Sequence, residues 1–309
     1  MMLLKRISQV VTTFLFCISF FILLGCNGGG NGLNQPDTRD SGIIHISVDE
    51  SFKPVIDAQI QVYEASYPAA KIVAHYKPEA ECLQDLGVDS IRMVITTRGL
   101  MPGEKQFIID SFQLVPEQMV IARDAIAVIV NPASADSFFT MQEIIDLVSK
   151  GNTRLKPVFD GVRATSTVRF MIDSVLKGAP LGPNVTAAQN SQGVIDYVAK
   201  NVDAVGFIGV SWIGNKEDSV QMSFLKTVKI ANIESVDNPG GYIKPWQANI
   251  YYRRYPMVRD LVYVLKEKHR GLGHGFAYFL SGERGQLIFR RAYLLPAQQA
   301  FIVRPASAG

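Results

Sequence analysis

The sequence has few of the residues that hold metals or cross-link small exported domains. It contains three cysteines, and two of them, Cys17 and Cys26, lie within or directly after an N-terminal apolar segment. Only Cys82 remains in the rest of the chain, so no internal disulfide is expected there. The four histidines lack metal-ligand spacing such as H-E-x-x-H. We therefore expect neither a metal site nor another cofactor.

The chain also lacks an excess of charge of either sign. It carries 31 Lys and Arg residues against 28 Asp and Glu residues. Removal of Lys5 and Arg6 with an N-terminal signal would leave 29 against 28. There is no basic block and no repeated interleaving of aromatic and basic residues. A nucleic-acid partner is therefore not expected.

The N-terminal 25 residues have the pattern of an export signal. Lys5 and Arg6 precede an apolar run over 10–24, and small residues then lead to Cys26. The run is short for a membrane-spanning helix, which needs about 20 residues. The ending resembles a bacterial lipobox, which implies cleavage before Cys26 and lipidation of its thiol. The alternative is an N-terminal anchor helix with a chance cysteine.

The segment 26–42 is rich in glycine and asparagine and cannot bury much apolar surface. It is predicted to be a flexible tether between a lipid and a folded domain. Together with the signal over 1–25, it predicts a membrane-anchored protein of the cell envelope that faces the periplasm or the outer surface.

After Gly42, short apolar segments alternate with amphipathic ones. This alternation predicts an α/β fold with mainly parallel strands and helices on both faces of the sheets. The predicted strands are 42–48, 71–76, 90–96, 124–132, 204–210, 247–255 and 261–267. The predicted helices are 54–67, 78–86, 102–112, 140–151, 166–178, 190–201, 272–281 and 283–291.

Two positions are candidates for crossings between lobes. One lies near 122–124, and the other lies in the Gly/Pro-rich segment 238–246. Two crossings would divide the chain into lobe I, formed by 43–122 plus 245–309, and lobe II, formed by 123–244. This is the plan of a clamshell with a two-strand hinge.

Three hydroxyl residues, Thr165, Ser166 and Thr167, follow Arg163 at the start of a predicted helix. Such a loop offers backbone N–H groups, hydroxyl donors and the positive end of a helix. The arginine can add a charged fork of donors, so the set suits an oxyanion. The alternative is a simple N-cap. Arg169, one turn further on, is expected to point to solvent.

Two other predicted strand ends carry similar side chains. One has Thr96, Thr97 and Arg98, and the other has Asp49 followed by Ser51. Ligands of open α/β sheets bind beyond the carboxyl ends of the strands, so these residues are predicted to face the same ligand. Glu50, between Asp49 and Ser51, is interpreted as a helix cap. Asp49 is either a cap or an acceptor of a proton from the ligand.

Other features have ordinary structural interpretations. Trp212 and Trp246 could line a cleft, but core or hinge packing is favoured. The segment 251–260, with three arginines and three tyrosines, is expected to be a solvated edge strand; a permease-docking face is the alternative. Ser166 lacks the G-x-S-x-G context of a hydrolase nucleophile, so no catalytic residues are assigned and no enzyme is expected.

The order of these segments resembles the phosphate-binding component of bacterial phosphate ABC importers, which has the type II periplasmic binding protein fold. The matching segments are Thr97-Arg98 with Glu104, then 124–132, 139–151, Arg163 with 165–167, 203–209 and 281–286. The chain departs from the family pattern at three places: no glycine within 165–167, threonine rather than serine at 97, and acidic residues at 49 and 50.

This resemblance implies a lipid-anchored, monomeric solute-binding protein. It would capture inorganic phosphate, or a similar tetrahedral oxyanion, between two lobes and deliver it to an ABC permease. Asp49 could then accept a proton from hydrogen phosphate, as a buried aspartate does in members of the family. The alternative is a sensory or surface-interaction lipoprotein with the same fold and no transport role.

Overall fold

The computed structural model describes residues 37–151, 154–161 and 165–298. Its strands are β1 (Gly42–Asp49), β2 (Ala70–Lys77), β3 (Ile91–Thr96), β4 (Glu117–Val130), β5 (Phe138–Phe139), β6 (Lys156–Phe159), β7 (Thr186–Ala187), β8 (Ala204–Gly209), β9 (Lys229–Ile230), β10 (Asn232–Glu234), β11 (Tyr242–Ile243), β12 (Val258–Leu265) and β13 (Leu295–Pro296).

The helices are α1 (Lys53–Ser66), α2 (Glu79–Gln84), α3 (Pro102–Phe112), α4 (Met141–Asp146), α5 (Ser166–Phe170), α6 (Ser191–Lys200), α7 (Ser219–Thr227), α8 (Gln247–Tyr251), α9 (Leu272–Ser281) and α10 (Glu283–Arg291). Wider π-helical turns continue α4 over Leu147–Gly151 and α5 over Met171–Val175. In the part of the chain that these elements span, no helix has both the length and the apolar character to cross a membrane.

The main sheet joins two parallel halves through an antiparallel pair. Its strand order is β2-β1-β3-β12-β4-β8-β6-β7, with β13 and β9 also paired to β4. β1 pairs in parallel with β2 and β3, and β6 pairs in parallel with β7 and β8. β12 and β4 run antiparallel between the halves. The predicted α/β architecture is confirmed, in a mixed sheet whose outer strands pair in parallel and whose central strands pair antiparallel.

Each half of the sheet has its own hydrophobic core. Ile44, Ile46 and Phe276 belong to a cluster around β1, and Phe159 and Phe207 belong to one around β6 and β8. β4 contributes to both, because its first part packs in the first cluster and its second part in the other. The fold is thus the predicted two-lobe one, while the exact lobe boundaries at 122–123 and 244–245 stay predictions.

Several local predictions are confirmed with their mechanism. Thr140 Oγ1 accepts the Glu143 N–H at 3.1 Å, and the Glu143 carboxylate accepts the Thr140 N–H at 2.8 Å, which forms the predicted capping box of α4. The predicted bounds of α3, α9 and α10 are those observed. Amphipathic spacing between clear start and stop residues explains this accuracy.

The predicted strand over 247–255 is wrong. Residues Gln247–Tyr251 form α8, whose first turn closes where the Ile250 N–H donates to the Trp246 carbonyl at 3.0 Å. Ile250 is the residue of this helix that is buried. A segment this short has too few apolar positions for its period to distinguish a helix from a strand.

Candidate anion-binding site

Hydroxyl groups from two of the predicted loops meet in the interior. Ser51, in the turn that follows β1, places its Oγ 3.3 Å from the Oγ of Ser166, the first residue of α5. Both side chains are almost completely buried. Ser51 Oγ also lies 3.4 Å from Oδ2 of Asp160, which directly follows β6. The structure therefore brings together the carboxyl ends of β1 and β6, as the sheet edge predicts.

The three hydroxyl residues at the start of α5 have different partners. Thr165 Oγ1 accepts the Val168 N–H at 3.3 Å, so this side chain is the N-cap. Thr167 Oγ1 donates to Asp160 Oδ2 at 3.2 Å. Ser166 and Thr167 thus face the buried cluster, while Thr165 caps the helix.

Arg259 supplies the positive charge in this cluster. Its Nη1 donates to Ser166 Oγ at 2.8 Å and to Thr167 Oγ1 at 3.3 Å. The guanidinium carbon lies 5.0 Å from the ring centroid of Phe52, and the residue is only 5% exposed. A buried, stacked guanidinium of this kind is a strong donor to an anion.

The prediction that 251–260 is a solvated edge strand is wrong for Arg259. β12 begins at Val258, three residues before the predicted strand, and lies between β3 and β4. Because side chains alternate along a strand, Arg259 shares a face with Leu261 and Tyr263, both buried. In the sequence, Arg259 alternates in the same pattern as these apolar residues, and this pattern could have identified it as a buried arginine.

Asp49 has the capping role that was one of its two predicted roles, and acceptance of a proton from a ligand stays a prediction. Its Oδ1 accepts the Ser51 N–H at 3.1 Å, which caps the turn, while its buried Oδ2 has no hydrogen-bond partner. Burial raises the pKa of Asp49 to about 7, although the charge of Arg259 opposes the shift. Burial likewise raises the pKa of Asp160, whose Oδ1 is also buried and unpartnered.

Glu50 does not cap its own helix, so that interpretation is wrong. Its carboxylate accepts from Ser191, the first residue of α6, at 2.9 Å from Oγ and 3.3 Å from N. Burial raises the pKa of Glu50 to about 6, and the hydrogen bond from Ser191 opposes the shift. Glu50 thus links the turn after β1 to the N-terminus of a helix in the other half of the molecule.

The residues after β3 are engaged in different contacts. Thr96 Oγ1 donates to the Arg98 carbonyl at 3.0 Å, and Arg98 forms a double hydrogen bond with Glu104 at 2.7 Å for each oxygen. Thr97 instead accepts from Arg169 Nη2 at 2.6 Å. Of this triplet, Thr97 is the residue that contacts α5. A ligand role for Thr96, Thr97 and Arg98 stays a prediction.

The expectation that Arg169 points to solvent is wrong. Its Nε lies 2.5 Å from Oε2 of Glu79, a residue of α2 that is almost completely buried. Glu79 also accepts from the Thr97 N–H at 2.9 Å and the Thr97 hydroxyl at 2.6 Å. Burial alone would raise the pKa of Glu79, but the bonds from Arg169 and Thr97 outweigh it and lower the pKa. Sequence spacing could not reveal a partner 90 residues away.

Backbone packing closes the cluster from the β8 side. A methyl group added at Gly209 would lie 3.1 Å from Arg259 Nη2 and from Asp124 Oδ2. Trp212 Nε1 donates to the Ser51 carbonyl at 3.0 Å, and the ring packs in the core beside β8, so the favoured packing role of Trp212 is confirmed.

The predicted anion ligand Arg163 and the predicted lipidation residue Cys26 lie outside the described residues.

The cluster therefore combines donors with carboxylate acceptors. Ser51, Ser166, Thr167 and Arg259 can donate, and Asp49 and Asp160 can accept. Ser166 Oγ lies 3.3 Å from Ser51 Oγ and accepts from Arg259 Nη1 at 2.8 Å, and neither of these partners is a histidine. Such a set suits the binding of an oxyanion that itself carries a proton.

Comparison with known proteins agrees with the observed fold. A family model described as a PBP superfamily domain matches residues 34–284. No curated protein sequence is significantly similar to the chain.

Solved structures of similar fold include the following three from bacteria. A candidate phosphate ABC transporter substrate-binding protein from Clostridium perfringens, solved with bound phosphate, has a TM-score of 0.69 and 20% identity, covering 83% of this chain and 100% of its own. An ABC-type phosphate transport receptor from Vibrio cholerae has a TM-score of 0.60 and 18% identity, covering 82% and 100%. A candidate phosphate-binding protein from Planctomyces limnophilus has a TM-score of 0.54 and 16% identity, covering 83% and 93%.

Proposed function

The chain belongs to the PBP superfamily, and from this we propose that it is a solute-binding protein that captures phosphate or a similar tetrahedral oxyanion. The ligand would lie between the two lobes and pass to an ABC permease. We further propose that Cys26 carries a lipid, that 26–42 is the tether, and that the protein acts as a monomer in the cell envelope. Binding rather than catalysis is the proposed activity.

The contact between Arg259, Ser166 and Ser51 carries this proposal. It joins a buried guanidinium to hydroxyls at two strand ends, which is the donor set that an oxyanion requires. The structural similarity to a protein solved with bound phosphate supports the choice of ligand. Arg163, Thr165, Thr167, Thr96, Thr97 and Arg98 are proposed as further contacts, with Asp49 facing the ligand.

Asp49 provides a reason to prefer a protonated oxyanion. Its unpartnered Oδ2 would repel an ion that carries no proton, whereas hydrogen phosphate can donate to it. Sulfate is fully ionised at neutral pH and cannot make this bond. Leaving a buried polar group without a hydrogen-bond partner costs about 1–3 kcal/mol of binding free energy. This corresponds to an affinity that is about 5- to 150-fold weaker.

Calorimetric titration with phosphate, arsenate and sulfate at low salt tests the proposal. We expect phosphate and arsenate to bind and sulfate to bind at least about 5-fold more weakly. Asp49→Asn should reduce the ratio of phosphate affinity to sulfate affinity, since an amide can donate to sulfate. Asp196→Asn, at an exposed position, is the matched control and should leave this ratio unchanged. Absence of binding for all three anions would refute the proposed function.

A further inference from the structure

The described residues of the site carry more carboxylate than an oxyanion requires. Arg259 is already paired with Asp124, at 2.9 Å between Nη2 and Oδ2. Asp49 and Asp160 lie beside the same hydroxyl cluster, and Glu50 is close enough to Asp160 for their charges to interact. Among the described side chains of the site, these carboxylates outnumber the guanidinium of Arg259 and oppose the entry of a dianion.

The unpartnered oxygens show where additional donors are needed. Asp49 Oδ2 and Asp160 Oδ1 are both buried without a hydrogen bond. The two residues are only 1% and 5% exposed. The hydrogen phosphate dianion has one proton to donate, so at least one of the two oxygens would still lack a donor. A cationic group with several N–H donors would satisfy both.

Asp49 and Asp160 also line a small cavity. It has a volume of about 210 Å³ and is lined by Asp49, Glu50 and Asp160 together with Tyr76, Lys77 and Thr165. The ammonium of Lys77 is paired with Asp85 at 2.7 Å. Asp49 and Asp160 thus belong both to the hydroxyl cluster and to an acidic cavity next to it.

We propose that the ligand is a zwitterion, in which a phosphate or phosphonate group is joined by a short chain to a primary ammonium. The proposal rests on the proposed function. The phosphoryl group lies against Arg259, Ser166 and Ser51, and the ammonium lies in the cavity, where its three N–H groups reach the carboxylates. Both ends of the ligand then meet opposite charge.

One observation favours an organic ammonium over a metal ion. In the described ranges, the acidic and histidine side chains close enough to share an ion are Asp37, Glu267 and His269, and the three carboxylates of the cavity do not form such a group. Burial raises the pKa of Asp49 to about 7 and of Glu50 to about 6. A nearby ammonium would offset this burial and keep both groups ionised at neutral pH.

Calorimetry with three ligands at constant ionic strength tests the proposal: inorganic phosphate, ethyl phosphate and O-phosphoethanolamine. The last two are close in size and differ mainly in the ammonium. We expect O-phosphoethanolamine to bind about 10- to 150-fold more tightly than ethyl phosphate, the range of one buried charge-assisted hydrogen bond. Glu50→Gln should reduce this ratio, whereas the exposed Glu81→Gln of α2 should not change it.

The outcomes separate this inference from the function on which it rests. If phosphate binds but the ammonium brings no gain over ethyl phosphate, the inference fails and the proposed function stands. If none of the three ligands binds, the proposed function fails as well. If Glu50→Gln and Glu81→Gln, both checked by circular dichroism, keep the wild-type ratio, the ammonium is not in this cavity. The wild-type ratio decides the ligand class even if a variant does not fold.

Discussion

Arg259 and Asp124 are directly opposite each other in the register of β12 and β4 and form an almost completely buried ion pair. Asp124 Oδ2 accepts from Nε at 3.0 Å, and its Oδ1 accepts the Val210 N–H at 3.2 Å. The carboxylate therefore fixes the guanidinium so that Nη1 is left to face Ser166. The pair sits on the two strands that join the halves of the sheet, so the position of the buried guanidinium depends on the pairing of these strands.

Asp124→Asn should destabilise the protein strongly, because it leaves the Arg259 charge buried without its counter-ion. Removal of one partner from a buried pair costs about 3–5 kcal/mol in the free energy of unfolding. Asp260→Asn, one residue further along β12 from Arg259, is the matched control. Asp260 forms an exposed pair with Arg123 and should contribute at most about 1 kcal/mol. Urea unfolding followed by circular dichroism measures the free energy of unfolding of both variants. Equal losses would contradict the role of Asp124 as the counter-ion of Arg259.

Arg169→Ala should destabilise the contact between α5 and α2, because Glu79 then keeps its burial but loses its cation. A hydrogen bond to a charged group contributes about 1.5–3 kcal/mol to the free energy of unfolding. A double-mutant cycle with Glu79→Gln isolates the pair, and we expect a coupling energy of about 0.5–3 kcal/mol. A coupling energy near zero would mean that the two side chains do not interact in solution.

Gly209→Ala should strain the site. The new methyl group would meet Arg259 Nη2 and Asp124 Oδ2 at 3.1 Å and the Ser51 carbonyl at 3.3 Å. Overpacking of this kind costs about 1–3 kcal/mol. Gly103→Ala in α3 is the control, since no atom lies within 4 Å of its added methyl group. Alanine in a helix is favoured over glycine by about 0.5–1 kcal/mol, so thermal unfolding should shift in opposite directions for the two variants.

The stability of the ligand-free protein should fall as pH rises from about 5 to 8. The pKa of Asp49 is raised from 3.8 to about 7 and that of Glu50 from 4.5 to about 6, so the folded state holds these protons more tightly than the unfolded chain. The stabilising contribution of these two groups is therefore fully present at low pH. It is lost as the pH rises through their pKa values in the folded state. In Asp49→Asn, the urea concentration at the unfolding midpoint should fall less over this pH range than in the wild type. A wild-type midpoint that rises over this range would contradict the raised pKa values of Asp49 and Glu50.

Cys26→Ala should abolish lipid modification at this position, because the thiol is the predicted attachment point. Metabolic labelling with a radioactive fatty acid provides the measurement. Cys17→Ala, within the predicted signal, is the matched control and should leave labelling intact. Label retained at the wild-type level in Cys26→Ala would refute the lipobox interpretation.

The sequence predicted most of the fold because local patterns specify it. The pattern of apolar and polar residues placed α3, α9 and α10 correctly, with Pro102 at the start of α3 and Gly282 between α9 and α10. The same rules failed for α8, where five residues with one buried side chain carry no distinct period. They also placed the start of β4 at Asp124 rather than Glu117, because its first three residues are exposed and polar Arg123 interrupts the apolar run.

The sequence by itself determined which loops carry hydroxyl groups and where strands end, and this sufficed to predict that the loops of Ser51 and Ser166 lie at the same edge of the sheet. It could not supply the partners of the charged side chains. Arg259 lies 93 residues from Ser166, and Arg169 lies 90 residues from Glu79. A charge is stable in the interior only where a distant residue neutralises it, so its burial follows from the packing of the whole sheet. The tertiary structure alone decided that Arg259 enters the site and that Arg169 binds Glu79 rather than water.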